Sequence, residues 1–280
     1  MHFLILLTTL GLAWWVRWRW SGRLEDWNLR WQSALGAFLF APALIAASSI
    51  AVLCMGPHGQ MVWHGEGWLS YGLALVFWVV AIVLALKLTW NGCQTLRQTR
   101  KQVAIDLSGP TGRLLETSTL YSAQIGFWQP ELVVSRGLLD TLSADQLEAV
   151  LVHEQAHLHY RDTFWFFWLG WLRRLTAWLP QTETLWQELL ALRELRADRW
   201  AVQYVDSLLL AEALLLAVSQ PIAPEPFGAA FASLAPPDRL EQRIEALLLT
   251  EAEPVQPPSL KSWIWLLLAL SPLVAIPFHT

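Results

Sequence analysis

Long runs of apolar residues lie near both ends of the chain. Three of them, 3–16, 34–55 and 68–90, precede the first strongly polar region, and a fourth, 262–278, lies close to the C-terminus. A helix needs about 20 apolar residues to cross a hydrocarbon core of ~30 Å, and the second and third runs have that length. The first run is shorter, but it lacks the preceding basic segment and the cleavage site of a secretory signal. The pattern predicts four membrane-spanning helices.

The residues between the third and fourth runs are more polar, and their periodicity changes from strand to helix. Short β-type runs at 113–120, 123–128 and 131–135 are separated by turn formers and predict a small sheet, in which 123–128 is a candidate edge strand. Ser143 followed by Gln146 is a capping-box signal, and apolar residues then recur at helical spacing. We expect a helix to begin at this cap.

These patterns divide the chain into three parts. We expect residues 1–90 to form three N-terminal transmembrane helices, residues 91–260 to form a polar domain, and residues 261–280 to form a C-terminal transmembrane helix. The predicted fold class is mainly α: a multi-span α-helical membrane protein with an α+β domain.

The composition agrees with a membrane protein. Of the 280 residues, 55% are hydrophobic and 15% are charged, and the mean hydropathy is +0.37. The net charge of -4 provides no basic field, which argues against direct binding of nucleic acid. The two cysteines, Cys54 and Cys93, are far apart in the sequence and fit neither a disulfide framework nor a thiolate metal site.

Basic residues predict the orientation in the membrane. The connection after the first apolar run carries four arginines, whereas residues 56–67 carry no Lys or Arg. The four are Arg17, Arg19, Arg23 and Arg30. The positive-inside rule places that connection in the cytoplasm, and the polar domain is then cytoplasmic too.

Residues 153–157 read His-Glu-Gln-Ala-His and match HExxH. Residues four apart are neighbours on one helix face, so His153 and His157 can bind one Zn²⁺, while Glu154 can act as general base toward the metal-bound water. Such a site hydrolyses peptides. A chance match is expected roughly once in a hundred such sequences, so the motif needs a suitable context.

A hydrolytic zinc site needs a third protein ligand. We assign Glu194, in Glu-Leu-Arg-Ala-Asp at 194–198 on a predicted helix, and expect Asp198 to accept the ring N–H of a ligand histidine. The alternative is that both acids are surface charges paired with neighbouring arginines. The HExxH motif upstream favours the ligand assignment.

The aromatic-rich stretch 163–179 has three interpretations. It could cross the membrane, form a buried helix of the polar domain, or lie along the interface. A crossing would put His153 and Glu194 on opposite sides of the bilayer, so a shared zinc ion excludes it. We expect an interfacial helix, with Arg173 and Arg174 reaching the lipid headgroups.

Five short motifs follow one another along the polar domain. They are Glu-Leu-Val-Val-Ser-Arg-Gly-Leu-Leu at 131–139, Leu-Ser at 142–143, Val-His-Glu-Gln-Ala-His at 152–157, Arg-Asp at 161–162, and the 194–198 block. In this combination the chain resembles the antirepressor membrane metallopeptidases typified by the BlaR and MecR signal transducers. The resemblance implies a cytoplasmic zincin-like domain in a bacterial inner membrane protein. It also implies His153, His157 and Glu194 as zinc ligands and Glu154 as catalyst.

Two departures limit this resemblance. The β-lactam receptors of the family carry an extracellular penicillin-binding sensor after their last span, whereas this sequence stops at Thr280, so we do not expect antibiotic sensing to carry over. The related HtpX and CAAX-protease-like enzymes often have a His before a Pro-Pro pair, where this chain has Ala235 before 236–237. The arginines that follow that pair, Arg239 and Arg243, are present. Arg239 is a candidate oxyanion or substrate contact, with a structural salt bridge as the equal alternative.

The expected function is zinc-dependent endoproteolysis of a cytoplasmic or membrane-proximal protein, which the resemblance extends to a winged-helix repressor. The partners are then the protein substrate and the lipid bilayer, with no direct contact to nucleic acid. Two alternatives stay open. One is an HtpX-like protease that degrades misfolded membrane proteins, and the other is a membrane sensor or scaffold without activity.

Overall fold

The computed structural model describes residues 2–22, 26–57, 64–107, 111–218, 239–249 and 260–278. The chain forms two compact units. The first, here called the helical unit, comprises Met1–Leu86, Trp171–Leu189 and Gln256–Thr280. The second, called the sheet unit, comprises Lys87–Gly170 and Leu190–Val255.

The helical unit is built around one long apolar helix. Helix α1 spans His2–Arg19, α2 spans Trp27–Met55, α3 spans His64–Arg100 and continues into the sheet unit, and a 3₁₀ helix spans Leu260–Phe278. The buried helix α2 packs against α1 and the 3₁₀ helix. Their core cluster contains Ala13, Phe40, Ala41, Leu44, Ile45, Leu179 and Ala269.

Pro42 leaves one carbonyl of α2 without its helical donor, because proline has no N–H to bond the oxygen of Phe38. Arg17 supplies the missing donor: its Nη2 lies 3.0 Å from that oxygen, and its Nη1 donates to Thr182 Oγ1 at 3.2 Å. The fully buried Arg17 therefore joins three segments of the helical unit.

The arginines that predict the orientation are helical rather than loop residues. Arg17 and Arg19 end α1, and Arg30 lies in α2, where it binds the buried Glu188 at 2.6 Å. Arg23 lies outside the described residues. The prediction that Arg17, Arg19 and Arg30 lie in a loop was wrong. Helix α1 continues past its apolar run, and α2 begins already after Asp26, which caps it by accepting from Leu29 N–H at 2.8 Å.

Two helices among the described residues, Trp27–Met55 and Gly67–Arg100, are long and apolar enough to cross a membrane. Length and composition alone would also fit the core helix of a soluble protein. The second helix differs from a core helix because only 17% of its most apolar window is buried. Exposed valines and isoleucines such as Val76, Val79 and Ile82 cover it. The four crossings expected from the sequence stay a prediction.

The sheet unit contains a small mixed sheet in the order β1-β2-β4-β3. The strands are β1 (Val103–Asp106), β2 (Thr111–Leu115), β3 (Ser122–Ile125) and β4 (Glu131–Ser135). Strands β2 and β4 are parallel, and β1 and β3 pair antiparallel with them. β3 lies at the edge, at the position predicted for 123–128, whereas β1 was not predicted.

Six helices among the described residues of this unit follow or flank the sheet. They are α4 (Arg136–Thr141), α5 (Ala144–His159), α6 (Asp162–Leu175), α7 (Thr182–Ala201), α8 (Ser207–Val218) and α9 (Leu240–Leu249), of which α6 and α7 are shared with the helical unit. The predicted capping box of Ser143 and Gln146 begins α5. Buried Leu132, Val134, Leu138, Leu151 and Ala213 join sheet, α4, α5 and α8 in one core.

Helix α6 occupies the stretch with three sequence interpretations. It has 14 residues, fewer than the about 20 that a crossing requires. Its residue Trp171 belongs to the helical unit and donates from Nε1 to Ala81 O at 2.9 Å. A fifth crossing is therefore excluded by length, and the interfacial placement of 163–179 stays a prediction.

Gly137 allows α4 to follow β4 closely. A Cβ there would lie 2.1 Å from the carbonyl oxygen of Ser118. We expect Gly137→Ala to destabilise the protein by about 3 kcal/mol, because backbone must move to relieve the overlap. Thermal unfolding of the detergent-solubilised protein should show a Tm lower by roughly 6–12 °C.

The matched control is Gly72→Ala, where an added Cβ meets nothing within 4 Å. Alanine also favours helix over glycine, so the Tm should stay or rise. An unchanged Tm for Gly137→Ala would show that the backbone at Ser118 can move away without a measurable loss of stability.

Candidate metal centre

Helix α5 presents the two histidines of the HExxH motif on one face. The Nε2 atoms of His153 and His157 lie 3.2 Å apart, and the rings meet nearly at right angles. A bond between two ring nitrogens would need a proton on one of them, whereas a shared cation would use both lone pairs. The capped helix thus places both nitrogens where a metal ion could bind.

Glu194 of α7 completes the group. His153 Nε2 lies 3.4 Å from Glu194 Oε2, and His157 Nε2 lies 3.8 Å from Glu194 Oε1. One ligand atom from each of the three residues falls within 4.8 Å of the others. The structure thus brings Glu194 to both histidines, as its assignment as third ligand requires.

These distances fit zinc. Zinc–nitrogen bonds of about 2.0–2.1 Å in a tetrahedron place two ligand atoms roughly 3.3 Å apart. The 3.2 Å between the two Nε2 atoms and the 3.4 Å from His153 Nε2 to Glu194 Oε2 are close to that edge length, whereas the 3.8 Å contact of His157 is with the other oxygen of Glu194. Two imidazoles and one carboxylate also form the donor set of hydrolytic zinc sites, which keep a fourth position open.

A tight corner between α5 and α6 brings Asp162 to His157. Arg161 has a φ of 54°, in the left-handed region that non-glycine residues seldom adopt, and only two residues separate the helices. Asp162 Oδ2 consequently lies 2.8 Å from His157 Nδ1, while its other oxygen binds Arg196. This carboxylate orients the ring so that Nε2 faces the metal position.

Asp198 lies beside His153 as Asp162 lies beside His157. Its Oδ1 lies 2.9 Å from His153 Nδ1, a close contact without the alignment of a hydrogen bond. Arg243 of α9 holds both oxygens of Asp198, with Nε and Nη2 each donating at 2.7 Å. Helix α9 is thereby tied to the metal centre.

Neighbouring arginines keep Glu194 ionised. Burial would raise the pKa of this carboxyl, but the charges of Arg193, His157 and Arg243 and a bond from His153 hold it well below the usual range. Arg193 donates twice to Oε1, at 2.9 and 2.7 Å. Glu194 is therefore available as an anionic ligand at any physiological pH.

His153 has the opposite shift. Burial would lower its pKa, but Asp198 and Glu194 raise it to about 9. In the absence of a metal this ring is protonated at neutral pH. A zinc ion must displace that proton, because only a neutral imidazole offers a lone pair.

Glu154 is oriented by the edge strand. Its Oε1 accepts a hydrogen bond from Ser122 Oγ at 2.7 Å, and Ser122 is the first residue of β3. The carboxylate is buried, so this bond helps to offset its desolvation.

Several neighbours of the metal centre were not predicted as site residues. Asp162 and Arg243 were noted only as parts of motifs. The roles of Ser122 and Arg196 carry no sequence signal, since each depends on a distant partner, whereas Arg193 binds the adjacent Glu194. Glu194 and Asp198 are four residues apart, like the two histidines. This shared spacing is the sequence pattern that identifies both acids as site residues.

Arg239 lies near the start of α9 and donates to Gln242 Oε1 at 3.2 Å. Its role as oxyanion or substrate contact stays a prediction. The segment 235–237 lies outside the described residues.

Asp162→Asn should weaken zinc binding about 10- to 100-fold, because a neutral amide polarises His157 less and leaves Arg196 without its anion. Competition with a coloured chelator measures the affinity. Asp145→Asn, at an exposed acid in the first turn of α5, is the control. Equal affinities of the two variants would contradict a role for Asp162 in metal binding.

Zinc affinity should also depend on pH. The pKa of His153 is raised, so its proton competes with zinc throughout the neutral range and competes less as pH rises toward 9. We expect about one proton released per zinc bound and about a tenfold gain in affinity per pH unit from pH 6.5 to 8.5. Calorimetry in buffers of different ionisation enthalpy counts the protons, and a flat pH profile would show that His153 is neutral before zinc arrives.

Comparison with known proteins agrees with this chemistry. Residues 116–190 match peptidase family M48, a span that contains β3, β4, α4, α5 and α6 and ends before Glu194. A search of the curated proteins finds no match. The match over residues 116–190 and the geometry together indicate a metallopeptidase whose zinc-binding group is His153, His157 and Glu194.

Proposed function

We propose that the chain is a membrane-anchored zinc endopeptidase that cleaves a protein on the cytoplasmic side of a bacterial inner membrane. The observation that carries the proposal is the convergence of His153, His157 and Glu194 beside the buried Glu154. A protein substrate follows from the peptidase family.

Glu154 is proposed as the proton carrier. Zinc held by the three ligands supplies a Lewis acid for the scissile carbonyl and for water. Because Ser122 occupies Oε1 of Glu154, Oε2 is the oxygen left to take the proton of the attacking water and to deliver it to the leaving amine. Ser122 is in this scheme a positioning residue.

The outer edge of β3 is proposed as the substrate platform. Among the described strands, β3 pairs only with β4, so the backbone groups on its other side can pair with an extended peptide. Ser122 begins this strand and contacts Glu154, which puts the general base beside the start of the platform.

Membrane anchoring is supported by the exposed apolar surface of α3. Leu73, Val76, Val80, Val83 and Leu86 are each 45% or more exposed. An apolar surface of this extent is unfavourable in water and suits hydrocarbon. The arginines after the first apolar run, and the lack of Lys and Arg at 56–67, support a cytoplasmic side for the sheet unit.

A transcriptional repressor is the proposed substrate. The support is the resemblance to the BlaR and MecR enzymes. The M48 match is coarser and does not identify a substrate. Cleavage of one winged-helix protein by the purified enzyme would favour it. A broad set of misfolded membrane proteins cleaved instead would favour the quality-control alternative.

Glu154→Gln should abolish hydrolysis and keep zinc bound, because this side chain moves protons and is not a ligand. Glu194→Ala should lose both, since only two protein ligands remain. Metal content by mass spectrometry and cleavage of a casein substrate by the purified full chain separate the two effects.

Asp145→Asn serves again as the surface control. Zinc binding by Glu194→Ala as tight as that of the unaltered chain would mean that the third ligand is misassigned. Zinc binding without hydrolysis of any tested protein by the unaltered chain would favour the inactive sensor or scaffold.

The two native cysteines test the topology. Cys54, in the last turn of α2, and Cys93, in α3 beyond the run 68–90, are both exposed. A membrane-impermeant maleimide should label Cys54 of Cys93→Ser from outside intact spheroplasts, and Cys93 of Cys54→Ser only in inverted vesicles. Labelling of both from one side would refute the crossing.

A further inference from the structure

The sheet unit exposes a group of large aromatic rings next to its edge strand. Trp128, Trp165 and Trp168 are 73%, 58% and 40% exposed. Phe164 lies among them: its ring centroid is 5.0 Å from that of Trp128 and 5.1 Å from that of Trp165. These four side chains are here called the aromatic patch. Contiguous rings of this size are unfavourable in water, which indicates a binding surface.

Phe127 fixes the loop between β3 and β4 to α6. Its ring centroid lies 5.0 Å from that of Phe164 and 4.8 Å from that of Phe167. Gly126 allows the turn, because its φ of 145° favours glycine and an added Cβ would lie 2.8 Å from the Cα of Pro130. The loop and the first turns of α6 therefore form one surface.

Helix α6 ties the aromatic patch to the bilayer. Trp171 donates from Nε1 to Ala81 O at 2.9 Å, and Ala81 lies in the middle of the run 68–90 that the proposed function places across the membrane. Trp165 precedes Trp171 on the same helix by about 9 Å, at 1.5 Å per residue. Half of a hydrocarbon core is about 15 Å thick. These lengths keep the patch no farther out than the lipid headgroups.

The charges near the aromatic patch fit the surface of an anionic bilayer. Residues 121–130 and 163–172, which contain the patch, have no charged side chain. Arg161 at the start of α6 is exposed, and so are Lys87 and Arg97 in the part of α3 that belongs to the sheet unit. Indoles beside basic side chains are typical of the cytoplasmic interface, because its lipid headgroups are negatively charged.

We propose that the aromatic patch docks the sheet unit on the cytoplasmic leaflet of the bilayer, with Trp128 at the level of the headgroups. The interfacial part of 163–179 is then the start of α6, and the β3–β4 loop is added to it. Because β3 ends at Ile125, three residues before Trp128, docking holds the proposed substrate platform beside the membrane. The preferred substrates are then protein segments at the membrane surface.

The test measures the depth of the loop in the bilayer. In the full chain with Cys54→Ser and Cys93→Ser, an NBD fluorophore on Gln129→Cys reports from an exposed position beside Trp128 and leaves the patch intact. The protein is reconstituted in vesicles of phosphatidylcholine and phosphatidylglycerol that contain lipid with a nitroxide near the headgroup. This lipid should quench the label about fivefold more strongly than a label on Asp145→Cys, an exposed control on α5. Iodide in the water should quench the two labels in the opposite order.

A variant without two of the rings tests the patch itself. Trp128→Ala combined with Trp165→Ala should lower the lipid quenching at residue 129 by roughly half, because two of the three exposed indoles are lost. Tyr204→Ala removes a ring of the sheet unit that is 65% exposed and lies outside the patch, and it should leave the quenching unchanged. Thermal unfolding checks the fold of each variant. If the double variant does not fold, the comparison of residues 129 and 145 decides alone.

Equal lipid quenching of the labels at 129 and 145 would overturn the proposal, and so would unchanged quenching in the folded double variant. Loss of casein cleavage in that variant, without lipid contact at residue 129, would overturn it in favour of a substrate site. Energy transfer between labels on two chains, again without lipid contact, would overturn it in favour of a second copy.

The docking of the patch rests on the proposed membrane crossing, and the two can fail separately. Maleimide labelling of Cys54 and Cys93 reports the crossing. A confirmed crossing with the label at residue 129 in water would remove the docking alone, and the zinc-binding group is independent of both.

Discussion

Buried negative charge determines the arrangement around the two histidines. Glu154, Asp162, Glu194 and Asp198 are all buried in the sheet unit, and a buried carboxylate persists only when cations or donors surround it. Three arginines do so. Arg193 binds Glu194, Arg196 binds Asp162, and Arg243 binds Asp198. When both histidines are neutral, as zinc binding requires, one negative charge is left over, and the two charges of Zn²⁺ would more than balance it.

The same constraint explains the local chain path. Asp162 is the first residue of α6 and also the partner of His157, which requires the sharp corner at Arg161. The left-handed conformation there costs on the order of 1–2 kcal/mol. An acidic residue in the first turn of a helix recovers part of that cost through the helix dipole. The corner thus serves the metal centre and α6 together.

Local periodicity and capping allowed much of this to be predicted from the sequence. Residues 153 and 157 share a face because helical geometry fixes the spacing, and Ser143 and Gln146 fix where α5 begins. β1 was missed, because its four residues become a strand only by pairing with β2. Arg243 was left without a role, because its partner Asp198 is 45 residues away. Contacts between distant segments depend on packing that no local pattern encodes.

The metal centre depends on two pairs of residues, one on each of two helices. α5 supplies residues 153 and 157, and α7 supplies residues 194 and 198, with the same spacing of about 6 Å along each axis. His153 contacts both acids of α7, and His157 contacts Glu194. One residue inserted in α7 before Glu194 would rotate both acids by about 100° and remove all three contacts at once.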